Sequence, residues 1–183
     1  MSRPDRIEGI AIVSADGMIA DASGVQPDAL KPEADQQFFF ATVNRADVLA
    51  HGRHSAEADS PPDGRNRIVL TRTVAGVARE GSGNTVLWNP AGASFEQAWD
   101  ALGLRGGLLA VLGGAEAFGL FLPRYDAFHL TQAPNVRLPG GRTVFPGVPA
   151  RAPEELLAEH GLKPAEKRTL DASAGLVLAT WRR

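Results

Sequence analysis

The chain alternates short apolar runs with polar, glycine-rich breaks, and the period of each run separates strands from helices. Residues 108–112 (LLAVL) are apolar without interruption and read as a strand buried on both faces. Residues 7–13 (IEGIAIV), 46–50 (ADVLA), 67–70 (RIVL) and 85–88 (TVLW) predict further strands, rich in branched side chains that suit a pleated surface. Helix patterns lie between them. Residues 33–45 (EADQQFFFATVNR) follow Pro32 and carry acids in the first turn, where the helix dipole favours them. Residues 95–104 (FEQAWDALGL) are amphipathic behind Ser94, a residue suited to capping a helix N-terminus. A third helix is predicted over 116–122, with Pro123 ending it. Further on, 125–131 (YDAFHLT) alternates like a strand, and 134–149 is a glycine- and proline-rich loop around Thr143, Val144 and Phe145. Residues 153–160 form a short helix closed by Gly161. Residues 167–170 and 176–181, joined by a turn at 171–175, predict a β-hairpin. This alternation predicts an α/β protein with a mostly parallel central sheet and a C-terminal antiparallel hairpin.

Several breaks carry candidate chemistry. The 108–112 run stops at Gly113-Gly114, and Ala115, Glu116, Ala117 and Phe118 then open a helix. Such a corner turns backbone N–H groups outward with no side chain to block an anion. The same residues equally make a tight turn that binds nothing. A second strand runs into His51-Gly52-Arg53-His54-Ser55, where Arg53 adds a permanent cation suited to phosphate. The His51-x-x-His54 spacing lacks acidic or sulfur partners nearby, so no metal site is predicted. Asp16-Gly17 reads as a turn, and the apolar path resumes at 18–20. The loop 21–31 (DASGVQPDALK) either lies over a site or is a plain surface connection, and 57–66 is a polar loop. Phe38, Phe39 and Phe40 are consecutive and cannot share one helix face. They point to a cleft, a homodimer surface or core packing. Asp35, Phe39 and Thr42 do share a face, and Asp35 is either a solvated first-turn acid or a ligand group.

Composition narrows the classes. A chain of 183 residues suits one domain with a full-sized core, and 44% hydrophobic with 22% charged residues is ordinary for a globular protein. A net charge of -2 argues against nucleic acid or an acidic membrane as partner. The absence of cysteine excludes disulfides, thiolate metal sites and cysteine nucleophiles. The N-terminus (MSRPDRIEGI) is charged, unlike a signal peptide, and no apolar run reaches membrane-spanning length, so the expected location is the cytoplasm.

Four stretches, in order, carry a resemblance: 12–20, Gly52-Arg53-His54-Ser55, 64–72 (GRNRIVLTR), and 111–118 followed by Phe121-Leu122-Pro123. Residues 128–131 (FHLT) and 143–146 (TVFP) extend it. Over nearly the whole chain the sequence resembles the dihydrofolate reductase superfamily, which includes the reductase domain of riboflavin biosynthesis. The resemblance implies a three-layer dihydrofolate reductase-like fold and an NADPH-dependent reductase acting on a small heterocycle. It implies that Leu112, Gly113, Gly114, Ala115, Glu116 and Ala117 lie against the cofactor, often with a cis peptide between the glycines. Gly52, Arg53, His54 and Ser55 would hold its phosphates, and Thr71 and Arg72 would read the ribose phosphate. The pair Arg53 and Arg72 favours NADPH over NADH. No G-x-G-x-x-G fingerprint is present.

On the substrate side, Asp35 matches the helix carboxylate that holds a pterin ring, and Thr131 the threonine bonded to it. Ile12 and Phe39 would flank the ring, Arg65 would pair with a folate tail, and loop 21–31 would close over the nicotinamide. Pro27-Asp28 stands where dihydrofolate reductases usually have Pro-Trp, and 14–20 (SADGMIA) looks like the riboflavin-type S-x-D-G-x-I-A pattern. The lysine usual before that pattern is replaced by Ile10, and the third glycine of that branch by Ala115. The expected function is NADPH-dependent reduction of a C=N or C=O bond in a pterin-like substrate. The alternatives are the riboflavin-pathway 5-amino-6-(5-phosphoribosylamino)uracil reductase, or an NADPH-binding module without turnover.

Overall fold

The computed structural model describes residues 2–55 and 64–183. In it the branched apolar runs gather into one sheet. β1 (Arg6–Ser14) lies between β7 (Leu108–Gly113) and β8 (Ala127–Ala133), parallel to both. On the far side of β7, β3 (Val48–Gly52), β4 (Asn66–Leu70) and β6 (Thr85–Trp88) continue in parallel. Three antiparallel strands close the edges: β5 (Val77–Arg79) beside β6, and the hairpin β10 (Lys163–Asp171) and β11 (Leu176–Arg182) beside β8. Among the described residues the order is β10-β11-β8-β1-β7-β3-β4-β6-β5. The chain therefore reverses its direction of travel around β1 and β7, and the carboxyl ends of the parallel strands meet along one rim. In open α/β sheets that rim is where ligands bind.

Strand alternation sends side chains to opposite faces. One face holds Ile7, Ala11, Val13, Val48, Ala50, Ile68, Leu109, Val111 and Phe128 in the main core. There they pack on α2 (Phe95–Leu102), α3 (Ala115–Leu120) and α4 (Pro153–Glu159). The other face carries α1 (Glu33–Arg45), which touches it through Phe38 on His129 and Arg45 on Glu8. Helices thus flank the sheet on both sides in the predicted three layers. No helix among the described residues is long and apolar enough to cross a membrane.

Several predicted bounds shift for local reasons. α2 ends at Leu102, because Gly103 takes a left-handed φ of 76° and closes it. Ser94 caps its start in a reciprocal pair with Gln97. The third helix starts at Ala115 and ends at Leu120, and Pro123 then lies inside a separate single turn, Leu122–Arg124. β3 begins at Val48, since Asp47 first binds the backbone of Leu108 through its own N–H and its carboxylate. β8 begins at Ala127, since Asp126 is clamped to Ile7 in the same two ways. Tyr125 is instead fully buried, its hydroxyl donating to the Phe118 carbonyl at 3.1 Å. β5 and the short ladder between β2 (Met18–Ala20) and β9 (Arg142–Thr143) were not evident as strand patterns. The polar loop at 57–66 lies outside the described residues up to position 63.

Candidate active site

α1 runs antiparallel to β1, so its first turn lies over the carboxyl rim. Asp35 sits in that turn and is buried, with the Thr131 hydroxyl bonded to its carboxyl. Thr131 pairs in register with Ile12 of β1. Ile12 itself joins Leu30, Ala133 and Leu176 in a small apolar cluster. Burial therefore pushes the Asp35 pKa up, and the Thr131 bond only partly opposes it. Phe39 is half-buried one turn further along, edge-on to Phe40, which is 49% exposed. The structure thus brings Asp35, Thr131 and Ile12 together, with Phe39 on the adjoining helix surface.

The second part of the rim is backbone. On β7 one residue is extra: Ala50 pairs with Val111, but His51 pairs with Gly113, so Leu112 bulges. Gly113 and Gly114 then turn with φ of 152° and 82°. The peptide between them is trans, not the cis linkage the resemblance implied, and these two positive φ values make the corner instead. A side chain on Gly114 would place its Cβ 3.9 Å from the Cα and N of Gly52, so the two glycine corners adjoin. Ala117 is buried in the core, while Glu116 in the same first turn of α3 is exposed. Arg53 and His54 are exposed in the turn Arg53–Ser55. Thr71 is buried, its hydroxyl shared with Thr73 in a turn at the end of β4. Arg72 beside it is exposed and meets Glu116 at 3.3 Å. Adjoining corners without Cβ atoms leave room for an anion to reach backbone N–H groups, and Arg53 and Arg72 are cations that could hold phosphate beside them.

Not every predicted residue reaches this rim. Arg65 donates to the Val43 carbonyl at 2.6 Å and to the Asn44 side chain at 2.7 Å. That is the last turn of α1, about 12 Å along the helix from Asp35 at 1.5 Å per residue. Asp16 serves a turn, as its sequence context suggested: its carboxylate accepts from Ser14 and from the Leu138 N–H. Burial opposes ionisation there, and these bonds outweigh it, so the Asp16 pKa is lowered.

Two groups of buried polar residues escaped sequence reasoning. Glu8 is 2% exposed and accepts from Arg6, Arg45 and His129, the last also bonded to Thr180. Burial alone would raise the Glu8 pKa, but bonds from His129 and Arg45 hold it at about 2. A lone acid inside an apolar strand run was the signal available. His51 is buried on β3, between the Gly52 carbonyl and Arg67. Its Nε2 faces a guanidinium, which disfavours a metal ion there.

No family model matches the chain, and no curated protein matches it in sequence. Solved structures do match in fold. A protein named for riboflavin biosynthesis from Shewanella sp. PV-4 superposes with a TM-score of 0.67 at 21% identity, over 97% of this chain and 98% of the other. The dihydrofolate reductase of Enterococcus faecalis, complexed with NADP(H) and RAB-propyl, gives 0.63 at 17% identity over 97% and 96%. A pyrimidine reductase-like protein from Corynebacterium diphtheriae gives 0.67 at 15% identity over 97% and 91%. The class defined by this sheet order and rim is the dihydrofolate reductase-like fold. Within it, the chain is similar to riboflavin-type and dihydrofolate-type structures alike.

Proposed function

We propose that this chain is an NADPH-dependent reductase of a pterin- or pyrimidine-type heterocycle. The observation that carries the reading is Asp35: a carboxyl buried against its preference for charge, bonded to Thr131, on the same rim as two bare glycine corners. A carboxyl of that kind is a common mark of a working site. Backbone N–H groups at Gly52, Arg53, Gly114 and Ala115 would hold the pyrophosphate, and Arg53 with Arg72 the extra phosphate. When bound, the nicotinamide supplies a hydride. Asp35 accepts N–H groups from one edge of the heterocycle, and Thr131 fixes the direction of its carboxyl. Its negative charge then raises the proton affinity of the ring nitrogen beside the reacting carbon. Carbon takes the hydride, nitrogen takes a proton from solvent, and the C=N bond becomes CH–NH.

The second reading, a riboflavin-pathway pyrimidine rather than a folate, is supported by the 14–20 (SADGMIA) pattern and by Asp28 standing where dihydrofolate reductases usually have tryptophan. Arg65, bonded at the last turn of α1, lies at the opposite end of that helix from Asp35. Arg142 on β9 lies along the 21–31 loop, its Nε 3.8 Å from where a Cβ on Gly24 would be. The test is NADPH oxidation with dihydrofolate, dihydrobiopterin and the pathway pyrimidine in parallel. Asp35→Asn is expected to lower kcat/KM for the true substrate by roughly 10²–10⁴-fold. The Kd for NADPH should stay within about twofold. Full turnover in that variant, or no oxidation with any of the three, overturns the reading.

A further inference from the structure

His51 stands beside the cofactor corner and has a defined set of bonds. Register places it opposite Gly113 on one side and Val69 on the other. Leu49 pairs with Arg67, so Leu49, His51 and Arg67 share the face opposite the main core, which holds Ala50 and Ile68. On that face Arg67 Nη1 lies 3.2 Å from His51 Nε2, and His51 Nδ1 lies 3.0 Å from the Gly52 carbonyl oxygen.

These two contacts fix the tautomer. A guanidinium only donates, so Nε2 must accept. The proton of the neutral ring is then on Nδ1, which donates to the Gly52 carbonyl. That bond has a consequence at the next atom pair. The Gly52–Arg53 peptide is trans, and in a trans peptide the C=O and N–H point in opposite directions. A Gly52 carbonyl turned inward onto His51 turns the Arg53 N–H outward. Arg53 opens a helical turn, where the first N–H groups have no partner within the turn. This N–H belongs to the glycine corner that adjoins Gly114.

We infer that His51 is a positioning residue for anion binding at the Gly52 corner, with Arg67 holding it in the tautomer that aims the Arg53 N–H at a dinucleotide pyrophosphate. The inference rests on the reading of this rim as a nucleotide site. It assigns His51 no contact with ligand, only the orientation of one peptide plane.

Two substitutions separate the bonds. In Asn the amide nitrogen takes the place of Nδ1, so His51→Asn keeps the donor to Gly52 and drops the Arg67 contact. In Gln the side-chain end takes the place of Nε2, so His51→Gln keeps the acceptor for Arg67 and drops the Gly52 bond. Calorimetric Kd values for NADPH, with thermal melts of each apo variant, give the readout. The expected result is a Kd within about twofold of wild type for His51→Asn and about tenfold weaker for His51→Gln, the scale of one lost hydrogen bond. A purely structural histidine predicts instead that affinity follows melting temperature in both variants, and that result overturns the inference. Nitrogen NMR of the apo protein adds an independent check, since a proton found on Nε2 of His51 also overturns it. If wild type itself binds neither NADPH nor NADH, the reading of the rim as a nucleotide site fails and takes the inference with it. If wild type binds and His51→Gln binds equally well, the inference alone fails.

Discussion

Asp35 and Glu8 are both buried carboxyls on the α1 face, yet their surroundings act in opposite directions. Asp35 has one hydroxyl bond, from Thr131, and burial raises its pKa. A raised pKa means the native state keeps its proton longer than the unfolded chain does, so stability is lost as pH rises through the folded value. Asp35→Asn should therefore be more stable than wild type at neutral pH, by roughly 2–4 °C in Tm, while losing turnover. An unchanged or lower Tm contradicts this balance. Glu8 has the reverse sign. Against the burial that would raise it, bonds from His129 and Arg45 hold it at about 2 against the ordinary 4.5, so its contribution is complete above about 4.5 and is lost as pH falls toward 2. That contribution is on the order of 3 kcal/mol, and Glu8→Gln should remove it and flatten the acid slope in denaturation midpoints between those limits. A wild-type slope in Glu8→Gln removes the assignment. The acid in a strand run was visible in the sequence, but its partner His129 lies 121 residues away and only folding shows it.

At the scale of elements, the glycine corners and α1 carry the site. Gly114 sits at φ 82°, where an alanine costs about 1–2 kcal/mol through its backbone alone. Gly52 is not in the left-handed region, and a Cβ there would meet only the Gly113 oxygen at 3.9 Å. Gly52→Ala should thus fold with stability within about 0.5 kcal/mol of wild type yet bind NADPH at least about tenfold more weakly, since a methyl group then stands in the anion's approach. Equal affinity in Gly52→Ala would show that phosphate does not enter by this corner. Both corners were readable in the sequence as a buried strand ending in glycine, because such a strand has an unbroken apolar code. The bulge at Leu112 was not, because an extra residue in a strand appears only against its neighbour's register. The three phenylalanines of α1 divide as their spacing requires: Phe38 meets His129 and lies under Arg168, Phe39 is half-buried, and Phe40 faces solvent.

For the whole molecule, strand order is what makes a site out of separated segments. β1 and β3 flank β7, so residues near positions 12, 35, 52, 114 and 131 reach one rim although more than a hundred residues of chain lie between the outermost. By itself the sequence determined most of the strands, the helices to within a turn at their ends, and the layered α/β class; the pairing of Asp35 with Thr131 was legible only through the resemblance carried by an ordered set of motifs. Local codes suffice there, because burial on one or two faces and turn residues are written in neighbouring positions. Tertiary structure alone decided which polar residues are buried together, where Arg65 points, and that His51 reaches the Gly52 carbonyl while Arg67 holds its ring. Such contacts depend on register between strands and on the reach of long side chains across them, and neither is encoded within a single segment.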